Sequence, residues 1–255
     1  MSNVSANTDT ASSSSLRPAA SQDRRPWGLW SSLAWYVLIF EIVGRAEDYV
    51  DTIPQVHGFI ERSYLLHSLN IIVAWGIQFF IIVLAVRLTH IALRDYLAWV
   101  RPGIGDIALG VAVIIALYVA LGLLSAKPAV DSYRAALAAG TSPWWYVLRN
   151  WPAIIVAPFV EESFFRGFLW RGVQSRHGNC AAFLVSTLLF AAMHYNYWLA
   201  GGNFEPVSLG QYLLISSILG WVRWRSGSTV ASMIVHGFDN AALSIVVILF
   251  SAILP

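Results

Sequence analysis

The sequence predicts an all-α fold: a polytopic transmembrane helical bundle of about seven spans. Three observations predict it. Of 255 residues, 57% are hydrophobic and 12% charged, whereas soluble domains carry about 25% charged residues. The mean hydropathy is +0.62, and the apolar runs approach the roughly 20 residues that a helix needs to cross a bilayer. Many of the twelve tryptophans fall near the ends of those runs, among them Trp27, Trp30, Trp144, Trp145, Trp151, Trp170, Trp198, Trp221 and Trp224. An amphipathic indole prefers that interfacial level.

Taken in order, residues 1–26 are rich in Ser, Ala, Thr and Asn, include the run Ser12 to Ser15, and read as a disordered tail. A cleaved signal would place a short apolar core near the start, but here the apolar stretch begins at Trp27 and is long enough to span. It reads as a retained first helix, Trp27 to Val43. The later runs are Leu69 to Val86, Ile107 to Ser125, Trp151 to Trp170, Ala181 to Ala200, Val207 to Trp221 and Thr229 to Leu254, the last long enough to bend or split. There is no strand-like alternation and no internal repeat. An eighth or re-entrant helix within Lys127 to Arg149, or a split final span, would make eight. The chain thus divides into the tail at 1–26, N-terminal transmembrane helices and loops at 27–150, and a region at 151–254 that carries the polar residues.

Cytoplasmic loops collect Arg and Lys. An N-inside orientation puts Arg17, Arg24, Arg25, Arg87, Arg94, Arg101, Arg166, Arg171, Arg176, Arg223 and Arg225 on the inner side, against Arg45, Arg62, Lys127, Arg134 and Arg149 outside, a division of 11 to 5. The expected location is a bacterial inner membrane with a cytoplasmic N-terminus. A formal charge of +2, with the basic residues dispersed, argues against nucleic acid as a partner. The single cysteine, Cys180, excludes an internal disulfide and a CxxC metal site.

Ionisable side chains at bilayer depth are expensive and are usually kept for use. Within the proposed spans stand Glu41, Glu161, Glu162, Arg166, His194, His236 and Asp239, mostly in the last four. On a helix Glu162 and Arg166 lie one turn apart and can pair, while Glu161 points about 100° away and keeps no cation of its own. A carboxylate so placed suits proton abstraction from water. Pro158 removes a backbone hydrogen bond just before the pair, which predicts a kink. His236 and Asn240 are again one turn apart, with Gly237 between them to admit a close backbone. Both motifs also read as polar glue in a bundle, and a lone His194 on an apolar helix commonly serves as an interhelical hydrogen-bond donor. Depth favours convergence: counting about 1.5 Å per residue from the cytoplasmic ends, Glu161, His194, His236 and Asn240 all reach the middle of the bilayer.

The remaining ionisable residues read more plainly. Glu41 is expected to reach the interface at the end of the first span. The stretch Gly44 to Asn70, with Glu47, Asp48, Asp51 and Glu61, reads as a solvated outer loop. His57, His67, His90 and His177 read as solvated or capping.

Glu161-Glu162-Ser-Phe-Phe-Arg166, Phe190-Ala-Ala-Met-His194 and His236-Gly-Phe-Asp-Asn240 resemble EExxxR, FxxxH and HxxxN, the ordered signature of the CPBP group. That group comprises CAAX prenyl endopeptidases of the Rce1 type and bacteriocin-processing or immunity (Abi) proteins. The likeness covers about Trp151 to Leu254. It implies a glutamate-dependent intramembrane endopeptidase without a cofactor. Glu161 with His194 would activate water, His236 and Asn240 would stabilise the oxyanion, and Glu162 with Arg166 would hold the site in shape. Asp239 adds an acid beside Asn240, and Ser228 to Met233 lacks the proline often found there in the group.

The implied partner is a membrane-associated, lipid-tethered or hydrophobic peptide substrate met in the lipid bilayer. Prenylated, bacteriocin and sorting-tail substrates all fit. Three other readings stand beside it. Glu161, His194 and His236 have the donor types of a three-ligand zinc site, although there is no HExxH. A non-enzymatic immunity or scaffold protein would keep the same polar cluster for structure. A transporter would suit midplane charges, but no repeat pairs the two halves.

Overall fold

The computed structural model describes residues 25–60, 62–121, 134, 138, 143–199 and 202–253. The expected disordered tail, up to residue 24, lies outside the described residues. So does most of the stretch in which an eighth or re-entrant helix was placed. Among the described residues all regular elements are helical.

Helix α1 (Leu29–Tyr36) continues through a π-register stretch, Val37–Gly44, into α2 (Arg45–Thr52). α3 (Pro54–Ile60) follows, then α4 (Tyr64–Arg87), whose Ser63 N-cap hydroxyl accepts the Leu65 N–H and satisfies one orphan donor of the first turn. After the short α5 (Leu93–Tyr96) come α6 (Ile104–Leu121) and α7 (Pro143–Glu162). α7 passes through a second π-register stretch, Ser163–Leu169, into α8 (Trp170–Met193). The chain closes with α9 (Tyr195–Trp198), α10 (Pro206–Ser226) and α11 (Thr229–Ile253).

Within the described residues each of the seven apolar runs is helical, the fifth interrupted at His194 between α8 and α9. Two of these helices, Leu29–Thr52 and Leu65–Arg87, are long and apolar enough to cross a membrane, with mean hydropathies of 1.2 and 2.4, and Ile104–Ala120 is a shorter apolar helix. α7, α10 and α11, at 20, 21 and 25 residues, have the length of a span. The last run is one helix to Ile253 rather than two.

Local departures from expectation have physical causes. The helix runs on through Pro152 and Pro158 and changes register only at Ser163. A π turn offers the relief that a missing proline N–H calls for, displaced here toward the glutamates. The fourth and fifth runs are joined tightly because Gly178 takes φ 78° and ψ 178°, a conformation open to a residue without Cβ, and the chain doubles back there. Gly44 to Asn70 is not a solvated loop. Its described part forms α2, α3 and the start of α4. Asp48 is exposed, while Glu47 accepts from Gln78 Nε2 at 2.9 Å and Asp51 accepts from Asn70 Nδ2 at 3.1 Å.

α7 is the central element, packed against α4 on one side and α11 on the other, while α8 packs on α10. The α7–α11 crossing is close, since a Cβ on Gly237 would meet the Ile154 carbonyl oxygen at 2.9 Å. Tyr36, Phe40, Phe164, Phe165, Phe168 and Phe190 form an aromatic core beside it, with Phe40 on Phe164 at 5.0 Å and Phe165 on Phe190 at 5.3 Å between ring centroids. Such edge and offset pairs fix ring orientation as well as burying area.

The bundle has two unlike ends. At one, the Trp27 indole donates to Ala85 O, the Thr229 N–H to Ala98 O, and Arg225 pairs with Asp106. Arg87, Arg94, Arg101, Arg171 and Arg176 belong to the segments gathered there. The other end carries α2, α3 and α9, where Glu47, Asp48 and Asp51 gather.

Candidate active site

Glu161 and Glu162 close α7 and stand at the threshold of the π stretch. Glu162 is completely buried and doubly engaged. Its Oε1 takes an Arg166 guanidinium N–H at 3.0 Å, the pair that their one-turn spacing predicts, and lies 3.0 Å from His236 Nδ1. A carboxylate oxygen only accepts, so Nδ1 carries the proton and Nε2 is left to face Glu161.

Arg166 is completely buried as well. Its second terminal nitrogen donates to the Ser216 carbonyl and hydroxyl, both at 2.8 Å, and the guanidinium lies 4.6 Å from the Phe190 ring centroid. The Arg166 carbonyl receives Arg223 Nε at 2.8 Å and Thr229 Oγ1 at 3.2 Å, so α10 and α11 both pin this turn. These bonds offset part of the cost of burying the pair, while Arg166 Nε and Glu162 Oε2 have no partner among the described residues.

Glu161 is different. Its Oε2 has no hydrogen-bond partner among the described residues, and His236 Nε2 stands 3.8 Å away. That separation exceeds a hydrogen bond. Glu161 also borders a cavity of about 340 Å³ that His194 lines too. His194 follows α8 at its C-terminal end, where Nδ1 donates to the Phe190 carbonyl at 2.8 Å, since a carbonyl can only accept. This leaves Nε2 with the free lone pair. The ring stacks on Tyr212 at 4.4 Å and meets Phe190 at a tilt at 4.6 Å between centroids, which holds its plane.

The expected residues are therefore not all alike in placement. Glu161, Glu162, Arg166 and His236 form one connected cluster, and His194 shares a cavity with Glu161. Asn240 donates to the Ala153 carbonyl at 2.7 Å. Asp239 is buried and accepts from the Tyr118 hydroxyl at 2.9 Å, so this extra acid faces α6. Glu41 does not simply reach the interface: it accepts from Tyr36 and Arg45 and lines the cavity. His57, His90 and His177 are exposed. Among the described residues no three His, Cys, Asp or Glu side chains are placed to hold a metal ion together.

Several contributors escaped sequence reasoning. Ser216 offered only a weak signal, a hydroxyl in an apolar run. Tyr212 offered none, because an aromatic residue in such a run ordinarily reads as core. The same holds for Gln78, which lines the cavity.

With this geometry in view, comparison with known proteins is informative. Residues 143–242 match the family described as Type II CAAX prenyl endopeptidase Rce1-like. The matched stretch contains all three motifs and the whole cluster, and it bears out the resemblance drawn from them. The matched family is one of peptidases, and the apolar helices suit a membrane protein. The chain is also 31% identical, over 87 residues, to the UPF0177 protein YxdF of Lactococcus lactis subsp. lactis (strain IL1403). That match covers 34% of this chain and 42% of the relative, less than half its length. No solved structure matches.

Proposed function

We propose that this protein is an intramembrane endopeptidase that hydrolyses a peptide bond of a membrane-associated or lipid-tethered substrate with a water activated by Glu161. The observation that carries the reading is the contrast in partners at adjacent positions. Glu162 takes hydrogen bonds from Arg166 and His236 through Oε1, while Glu161 has no described hydrogen bond and stands beside a cavity and an imidazole.

In this reading Glu161 takes a proton from water as its oxygen attacks the scissile carbonyl. His194 Nε2, held by the Phe190 carbonyl and the Tyr212 ring, orients that water or relays the proton to the departing amine. His236 is aligned by Glu162, and its Nε2, when protonated, donates to the oxyanion of the tetrahedral intermediate. Proton and water balance: the water supplies the hydroxyl of the new carboxyl end, and its proton passes through Glu161 to the new amino end. Arg166 and Ser216 position Glu162 and do not touch substrate. Asn240 supports the α7–α11 crossing through Ala153, which takes one of the two N–H donors of its amide. We further place the N-terminus on the cytoplasmic side of a bacterial inner membrane, an orientation supported by the basic end of the bundle.

The test is proteomics of peptide termini in cells carrying the wild type or Glu161→Gln at equal abundance. Ends present with the wild type and absent with the variant are expected. Identical sets of ends, despite a working cellular role, would refute the proposal.

A further inference from the structure

The cavity beyond Glu161 has a composition that the hydrolytic reading does not use. Its wall carries five carboxylates, from Glu41, Glu47, Asp48, Asp51 and Glu161, against the single guanidinium of Arg45. Arg45 is already engaged. It pairs with Glu41 at 2.7 Å and donates to the Tyr195 hydroxyl at 2.7 Å. The remaining acids have only neutral amides as described side-chain hydrogen-bond donors, Gln78 for Glu47 and Asn70 for Asp51.

A second observation is independent of charge. Gln78 is 6% exposed and borders the cavity. Its Nε2 goes to Glu47, while its Oε1 has no donor among the described residues, and Glu47 Oε1 is buried and equally without one. Buried acceptors without donors cost free energy, and in native proteins they call for an explanation. Each unsatisfied group along this wall is an acceptor.

We infer that the cavity is a specificity pocket for a cationic group of the substrate, a Lys or Arg side chain close to the scissile bond, held by Glu47, Asp48 and Asp51. This rests on the proposed peptidase reading and names its substrate class: a hydrophobic or lipid-tethered segment with a basic residue beside the cleavage point. Size agrees. A pocket of about 340 Å³ is at the lower end of the range that admits a small ligand, enough for one long basic side chain and a turn of backbone. Asp48 has no described side-chain hydrogen bond and would meet the cation, with Gln78 Oε1 and Asp51 completing its donors. The aromatic faces of Trp75 and Tyr197, which also line the cavity, would cover the aliphatic stem of such a side chain.

The test uses full-length Glu161→Gln protein in phosphatidylcholine nanodiscs, so that peptide is bound and not consumed and the lipid adds no net charge. The probes are three palmitoylated 15-residue peptides, identical except for one central Lys, Gln or Glu, with affinity read by fluorescence anisotropy. The Lys peptide is expected to bind about tenfold more tightly than the Gln peptide, the size of one partly desolvated charge pair, with the Glu peptide weakest. Adding Asp48→Asn and Asp51→Asn should bring the Lys-to-Gln ratio close to one. Equal affinities for the three peptides, or a ratio unchanged in the Asn variants, would overturn the inference. Wild-type protein is then incubated with the same peptides and the products are weighed by mass spectrometry. Retained Lys discrimination without any hydrolysis would count against the peptidase reading and leave the cation pocket standing. Hydrolysis without discrimination would do the reverse.

Discussion

Glu161 and Glu162 are neighbours in sequence, yet they belong to regions built on opposite principles. The Glu162 side is closed. Arg166 and His236 hydrogen-bond Glu162 at 3.0 Å, Ser216 accepts from Arg166 at 2.8 Å, and α10 and α11 clamp the Arg166 carbonyl. The Glu161 side is open, with a 3.8 Å gap to His236 and a cavity walled by acids. The 100° between adjacent helical positions is what makes the separation. One carboxylate is turned toward α10 and α11, the other toward α4 and the end of α8. The comparison teaches that a buried charge cluster holds two jobs apart by pairing one carboxylate with a guanidinium and an imidazole and leaving the other beside a cavity.

The sharpest way to break the contrast is Arg166→Met. It strands Glu162 in a dry site, and removing one partner of a buried pair costs about 3–5 kcal/mol. Loss of folded protein in detergent, read by size-exclusion chromatography, is expected. Next, His194→Ala acts on the open side alone. Turnover should fall by roughly 10²-fold or more, while the melting temperature stays within a few degrees because the residue touches only rings and one carbonyl. Gly237→Ala tests the frame that both sides share. A methyl group driven against the Ile154 carbonyl should cost about 1–3 kcal/mol, measurable as a lower melting temperature with the Arg166 region otherwise intact. Tyr118→Phe should do least. It deletes one hydrogen bond to Asp239, worth about 1 kcal/mol, and should leave turnover nearly unchanged, since that contact faces α6. Large loss of turnover there would bring Asp239 into the reaction.

How much of this was legible in the sequence depends on the range of the interaction. The helical runs were legible because composition alone reports them. The Glu162–Arg166 pair was legible because it lies within one helix, where spacing fixes geometry. Glu161 standing apart followed from the same arithmetic. What was not legible depends on which helices meet. Glu47, Asp48 and Asp51 have the composition of a solvated loop, and only the folding of α2 and α3 against α4 turns them into a cavity wall. Asn240 shares a helix face with His236, but the close crossing at Gly237 delivers its amide to Ala153 instead. Tyr212 carries no local signal and Ser216 only a weak one, because their roles come from α10 lying against α8. The π turn at Ser163 was also hidden. Proline announces strain, and the sequence does not say how many residues later the helix will relieve it.

The division of labour between the two glutamates is tested most directly by exchanging each for its amide in turn. Glu161→Gln and Glu162→Gln proteins, purified side by side, are compared for thermal stability and for cleavage of the same substrate peptides. The account predicts that Glu161→Gln melts like the wild type and cleaves nothing, whereas Glu162→Gln melts several degrees lower because Arg166 and His236 lose their shared anion. Persistent cleavage by Glu161→Gln, or equal destabilisation by both exchanges, would contradict it.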